Sequence, residues 1–488
     1  MKKLWIWILV GVLAAALIAG AIALDLGGGR KASSRPYEHN INYFYSDEES
    51  TTRFVADAEV LTDKLIGKVD SFLSCDGTYA LVRSGTALYG VDKSGVRNLY
   101  SAGVDLALLS LDGKKAVFTT ATEVHILDLA SGGMEDIKPD GIKGISSIVV
   151  SPDGNTVGYT VKTGSGQDSY VFENGASRLL RENACIAAAA DSAAFWYFAD
   201  PADGSLWYAS GKREVKLASS FTGMLEFSRD LKEVLFDSGG ETLVSRAGGR
   251  AKPIAEGVSL FMAGVCCSSV QGGAAVVSEV KDTDTLLGRL YYSYRSSSEG
   301  ARTVYDIYYV NARGGEKLIA KNAYKFYEGE GGRLGVLMAD GKLYDMKTGD
   351  PKEASLVASG AADFCTAGDG TYYFISSAGV LSFYGGKSGV MPMQLAEGVV
   401  SCGMTPAKTC VFIVRSGENG ALMTVRNDLV PELAVNNAAG FETMGGAVFC
   451  FTRDYKNDYG VRVFDVYTSA DGSAWSLAVK GAEQTGNR

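Results

Sequence analysis

The 488-residue sequence predicts an all-β fold: a β-propeller of four-stranded blades preceded by one transmembrane helix. Three observations carry that expectation. Short runs rich in Val, Tyr and Phe recur between Asp-Gly and similar turns. The pattern restarts roughly every 35–42 residues, the period of a four-stranded blade, apart from one longer unit. Near the amino terminus, one uncharged stretch is long enough to cross a bilayer.

That stretch runs from Leu4 to Leu24, between Lys2-Lys3 and Asp25. At about 1.5 Å per helical residue it matches the roughly 30 Å of a bilayer core. Leu4-Trp5-Ile6-Trp7-Ile8-Leu9-Val10 leaves no polar face for water. Two readings stay open, a retained anchor over residues 4–24 or a signal removed after Ala23, because Ala21-Ile22-Ala23 fits a small-residue cleavage pattern. The run exceeds the roughly 7–15 apolar residues of a signal core, which favours the anchor. The expected location is therefore a single-pass membrane protein with its carboxyl-terminal domain extracytoplasmic, or a secreted protein if the leader ends at Ala23. Arg30, Lys31 and Arg35 counter Lys2 and Lys3, so the orientation rests on the likeness to an export signal rather than on charge bias. No cysteine precedes Cys75, which excludes a lipid-modified cysteine directly after the run.

Residues 1–25 thus form the membrane segment, 26–50 a polar linker, 51–482 the propeller and 483–488 a tail. Gly27-Gly28-Gly29 and Ser33-Ser34-Arg35-Pro36 suit a spacer, although Tyr43-Phe44-Tyr45 has the character of a cluster that docks on the folded body. The first strand is expected within 51–60, paired with strands near 475–479 to close the ring.

The repeated unit is an apolar strand, a tight turn, a second apolar strand, a Gly-containing or polar turn, and a third strand. Its turns include Asp76-Gly77, Asp112-Gly113, Asp153-Gly154, Asp203-Gly204, Asp340-Gly341, Asp369-Gly370 and Asp471-Gly472. Asp-Gly between apolar runs signals a hairpin because the turn requires residues that tolerate positive φ. Units begin near Val69, Val104, Ile145, Ala184, Thr222, Val258, Ala323, Ala361, Val399 and Phe441. Ten such starts exceed the usual roughly 4–8 blades, leaving open merged units, an unusually large ring or two rings. The reading adopted is about 7–10 repeat units in one ring, with about eight as the blade count. Amphipathic helical runs with caps are scarce, which rejects a helical solenoid of similar period.

Ser151-Pro152-Asp153-Gly154, followed by Asn155-Thr156-Val157-Gly158-Tyr159, resembles the WD40-like, TolB-type propeller repeats. Ser110-Leu111-Asp112-Gly113 and Ser228-Arg229-Asp230 match that turn in part. Such repeats occur both in binding scaffolds and in accessory domains of peptidases, so the resemblance implies fold and not activity.

Function is narrowed mainly by elimination. A net charge of −9 without basic blocks argues against a nucleic-acid surface. Eight cysteines without a Cys-x-x-Cys pair read as buried thiols, with a Cys402–Cys410 bridge across a hairpin as an alternative. Only His39 and His125 exist, too few for a two-histidine metal site, and His125 in Val124-His125-Ile126-Leu127 reads as structural or surface. Without a Gly-x-Ser-x-Gly turn a triad hydrolase is disfavoured. Lys281-Asp282-Thr283-Asp284-Thr285 lacks the Gly and Glu of a calcium loop and reads as solvated. Ser469-Ala470-Asp471-Gly472-Ser473-Ala474-Trp475 looks like the Asp-box of sialidase-type propellers but is one residue short, so it reads as a plain turn. No cofactor is implied.

The most individual region is Leu290-Tyr291-Tyr292-Ser293-Tyr294 and Val304-Tyr305-Asp306-Ile307-Tyr308-Tyr309, flanking a polar loop. Some of these rings belong to the core; others would stack on a sugar or peptide if exposed. Tyr292, Tyr294, Tyr305 and Tyr308 are the candidate ligand-binding residues. The functional expectation is a membrane-anchored binding scaffold whose partner is a protein or cell-envelope polymer. The alternative is a glycan-active propeller enzyme that uses paired carboxylates.

Overall fold

The computed structural model describes residues 41–483, apart from 76–77, 165, 222–223, 257–260, 263–276, 281–282, 297–302, 349, 387–389, 406, 417–418 and 445–446. The chain is built from antiparallel sheets in succession, in which neighbouring strands are mostly consecutive in sequence. Sheets I (71–100), II (107–137), III (144–181), IV (185–218), VIII (361–396) and IX (399–436) have four strands each. Sheet V (224–256) gains a short parallel strand, Val277–Val280, beside Met224–Phe227. Sheets VI (261–262 and 289–322) and VII (323–358) are the two halves of one seven-stranded sheet and share the thirteen-residue strand Glu316–Glu328, whose first half pairs with Thr303–Val310 and whose second half pairs with Arg333–Met338. Sheet X (438–483) ends the chain.

The second strand of a sheet is typically buried on both faces, as in Val157-Gly158-Tyr159-Thr160-Val161 and Val411-Phe412-Ile413. That explains why these strands read as continuous apolar runs rather than as alternations. Outer strands are wetter; Ala176-Ser177-Arg178-Leu179 is exposed throughout. Each sheet shares a hydrophobic cluster with the next. Leu81 and Leu88 of sheet I meet Phe118 of sheet II, and the succession continues to Val411 and Leu422 of sheet IX against Val448 and Cys450 of sheet X. Three amino-terminal strands, β1 (Ile41–Ser46), β2 (Thr51–Ala56) and β3 (Glu59–Ile66), then complete the circuit. Val55 and Phe44 pack on Phe449 and Phe451 of sheet X, while Phe54 and Leu65 pack on Ala80 and Val82 of sheet I. The arrangement is propeller-like and closes on itself.

Among the described residues the strands form nine hydrogen-bonded sheets, within the expected 7–10, because the units expected from Val258 and from Ala323 are joined into one seven-stranded sheet by a shared strand. Ring closure uses β1, within the stretch read as linker, rather than 51–60: Ser46 pairs with Ala482, its Oγ donates to the Lys480 carbonyl at 2.9 Å, and the Asp47 amide donates to the Gly481 carbonyl at 3.1 Å. Phe44 draws β1 inward, its ring centroid 5.4 Å from that of Phe449.

The single-pass membrane location is corrected. Among the described residues no helix is long and apolar enough to cross a membrane, and the segment 4–24 that carried the expectation lies outside them. His39, Cys266, Cys267 and the Lys281-Asp282 pair also lie outside the described residues.

Candidate functional site

The hairpin of Arg289–Ser296 and Thr303–Val310 sets Tyr294 opposite Tyr305, Tyr292 opposite Ile307 and Tyr291 opposite Tyr308. Side chains alternate along a strand, so Tyr292 and Tyr305 belong to one face and Tyr308 to the other. The structure brings Tyr292 and Tyr305 together, edge to face at 5.6 Å, with Phe326 at 5.5 Å and 5.8 Å from the two rings. Tyr308 instead leans on the sheet V–VI cluster beside fully buried Tyr291. The side chain of Tyr294 lies outside the described residues.

The first of these faces leads to a cleft of about 980 Å³ formed by sheets VI to IX. It is lined by Tyr305 and Tyr324, by Lys325 and Asp363, by residues 376–379 with Val399-Val400, and by Arg415. Lys325 Nζ is 2.7 Å from Asp363 Oδ1. Burial works against the lysine charge, but the Asp363 carboxylate outweighs it and holds the ammonium above its ordinary pKa. The Arg415 guanidinium makes no hydrogen bond or ion pair among the described residues.

A second cavity, about 500 Å³, lies along the first strands of sheets VIII to X and the shared strand of VI and VII. It is lined by Lys325, which also reaches the cleft, and by Phe326, Cys365, Cys402, Phe441 and Glu442 among others. Gly403 is small because a Cβ there would lie 2.6 Å from the Phe441 ring. The carboxylates of the two cavities, Asp363 and Glu442, line different ones, and Asp363 is engaged by Lys325.

Other sequence candidates have structural surroundings. His125 is buried, stacked on Phe118 at 4.8 Å, with Nδ1 2.7 Å from Asp136. Asp471 accepts from the Ser473 amide at 2.8 Å, and Trp475 Nε1 donates to the Gly472 carbonyl at 3.1 Å, a closed local turn. Cys402 pairs with Phe412, and Cys410 with Met404, so the two thiols are diagonal rather than opposed and both are free. Sequence reasoning missed Lys325, Asp363 and Arg415. Only their polar character inside apolar runs hinted at them, as in Ala323-Tyr324-Lys325-Phe326.

No protein-family model matches the chain, and no curated protein does. Solved structures with a similar arrangement include the tricorn protease, at 14% identity over 84% of this chain and 44% of that one, with a TM-score of 0.27. A eukaryotic initiation factor shares 13% identity over 83% and 96% of the two chains, at 0.37. The putative TolB from Agrobacterium tumefaciens shares 13% over 46% and 83%, at 0.29. This chain therefore spans less than half the length of the tricorn protease. Its class is defined by its own sheets: an all-β repeat scaffold of propeller type.

Proposed function

We propose that this chain is a binding scaffold that holds an extended segment of a partner protein in the cleft of sheets VI to IX. The observation that carries the reading is the exposed Arg415, without a hydrogen bond or ion pair from its guanidinium among the described residues, lining a cleft together with half-buried Tyr305 and Tyr324. A volume of about 980 Å³ lies within the roughly 300–1,000 Å³ range of ligand sites. Tyrosine and arginine supply large contact area and a directional charge, which is why they dominate binding energetics. Val400, 48% exposed, adds an apolar contact at the edge.

A photo-crosslinking amino acid at Val400, compared with one at Leu179 on the outer strand of sheet III, tests the proposal. The expected result is one polypeptide adduct at position 400 and none at 179. Arg415→Glu should reduce that adduct about tenfold, the equivalent of about 1.4 kcal/mol. Equal labelling at both positions, or labelling at 400 that ignores Arg415→Glu, would overturn it.

A further inference from the structure

Three free thiols meet where sheet VIII packs on sheet IX. Cys365, on the first strand of sheet VIII, has its Sγ 3.7 Å from Cys410 Sγ, and Cys402 belongs to the same buried cluster. Cys402 and Cys410 sit on one face of sheet IX, displaced by one diagonal step, and both turn toward Cys365. All three are buried, but Cys365 and Cys402 line the 500 Å³ cavity, whereas Cys410 is not among its lining residues and is fully enclosed. Oxidant arriving through the cavity therefore reaches Cys365 or Cys402 first.

We propose that Cys365 is the entry point of an oxidisable thiol cluster, which a hydroperoxide entering the cavity converts to a disulfide, Cys365–Cys410, that joins sheet VIII covalently to sheet IX. In the first step a cavity-lining sulfur takes the terminal oxygen of the hydroperoxide; the O–O bond breaks, an alcohol or water leaves, and the sulfur is oxidised by two electrons to a sulfenic acid. The neighbouring thiol then attacks that sulfur; the S–S bond forms, the S–O bond breaks, and water leaves with the thiol proton. The sum is two thiols and one hydroperoxide giving one disulfide, one alcohol and one water.

Geometry decides which bridges are open. A sulfenic acid on Cys365, which lines the cavity, has Cys410 Sγ 3.7 Å away on the facing sheet. Cys402 and Cys410 share one sheet and are displaced along it, so Cys365 is the sulfur that joins the two sheets. Closing from 3.7 Å to the roughly 2.05 Å of a disulfide needs only side-chain rotation and a small slide of one sheet on the other. Burial keeps the Cys365 and Cys410 thiols protonated. Only the thiolate reacts fast, so the cluster is a slow lock rather than a rapid sensor.

Wild-type protein treated with hydrogen peroxide and digested without reduction gives a direct test. The expected product has lost two hydrogens and yields a linked peptide pair containing Cys365 and Cys410. Cys402→Ala should leave that product intact, whereas Cys365→Ala and Cys410→Ala should each abolish it. Circular dichroism of each variant separates lost chemistry from lost folding, and the wild-type map needs no variant. A bridge that pairs Cys402 with either other thiol, or folded wild-type protein that gains oxygen or stays unchanged without a bridge, would overturn the proposal.

Discussion

Ser110, Ser151 and Ser228 each donate a hydroxyl hydrogen bond to an aspartate two residues on, at 2.6, 2.7 and 2.9 Å, and each Oγ accepts an amide five residues on. The short side chains replace backbone partners that a tight turn cannot supply. In the third turn Leu231 occupies the position that Gly113 and Gly154 fill in the others, at φ 58°, and is held there by burial and by Tyr197 Oη donating to its carbonyl at 3.0 Å. Asp153 is partly buried, which raises its pKa, yet the Asn155 amide and the Ser151 hydroxyl pull it down to about 2 from 3.8. A carboxylate depressed in the folded state stabilises above its unfolded pKa and loses that contribution as pH falls through the folded value. Asp153→Asn should therefore be less stable than wild type near neutrality, by less than about 1 kcal/mol because the site is largely solvated. Urea midpoints of the two proteins should converge as pH approaches about 2. For the ring pair at the cleft, a double-mutant cycle of Tyr292→Leu and Tyr305→Leu should give a coupling of about 0.5–1.5 kcal/mol, read by urea unfolding.

Single elements carry the interfaces through close approach. A Cβ at Gly420, in sheet IX, would lie 2.0 Å from the Ala438 carbonyl oxygen, a backbone atom of the first strand of sheet X that cannot rotate away. Gly420→Ala should cost more than about 1–3 kcal/mol, the usual range for overpacking, seen as a lower urea midpoint. In β2, fully buried Phe54 packs on sheet I; its replacement by Ala should cost about 3–5 kcal/mol by the same measurement. Legibility differs between elements for a physical reason. Ala361 and Val399 begin strands where the sequence pattern starts its units, because hairpin turns and apolar runs are local signals. The tyrosine hairpin was likewise legible as a pair of strands. Its division of labour was less so, since the presence of sheet V on one face and the cleft on the other decides that Tyr308 packs while Tyr305 lines a cavity.

At the scale of the molecule, the ends of the chain are joined through β1 and the final strand Ser476–Glu483, so every sheet has a neighbour on both faces. Removing residues 41–66 would strip the clusters on sheets I and X at once and uncover apolar faces such as Phe449 and Val82. The expected outcome is a lower and broader thermal transition, with hydrogen exchange rising first in sheets I and X and last in sheets IV to VI. Uniform loss of protection around the ring would instead mean that closure stabilises all the sheets together rather than through local packing at the seam.

The sequence by itself determined the all-β class, the repeat period and the start of most sheets, because alternation, turn chemistry and apolar runs act over a few residues. Tertiary structure alone decided that the repeat units follow one another in a closed circuit, two of them fused through Glu316–Glu328, and that β1 rather than 51–60 seals it. It also decided that Lys325, Asp363 and Arg415 share one cleft with Tyr305, and that Cys365 meets Cys402 and Cys410. These residues lie on different sheets, and no periodicity records which sheet faces which until their apolar faces have been paired.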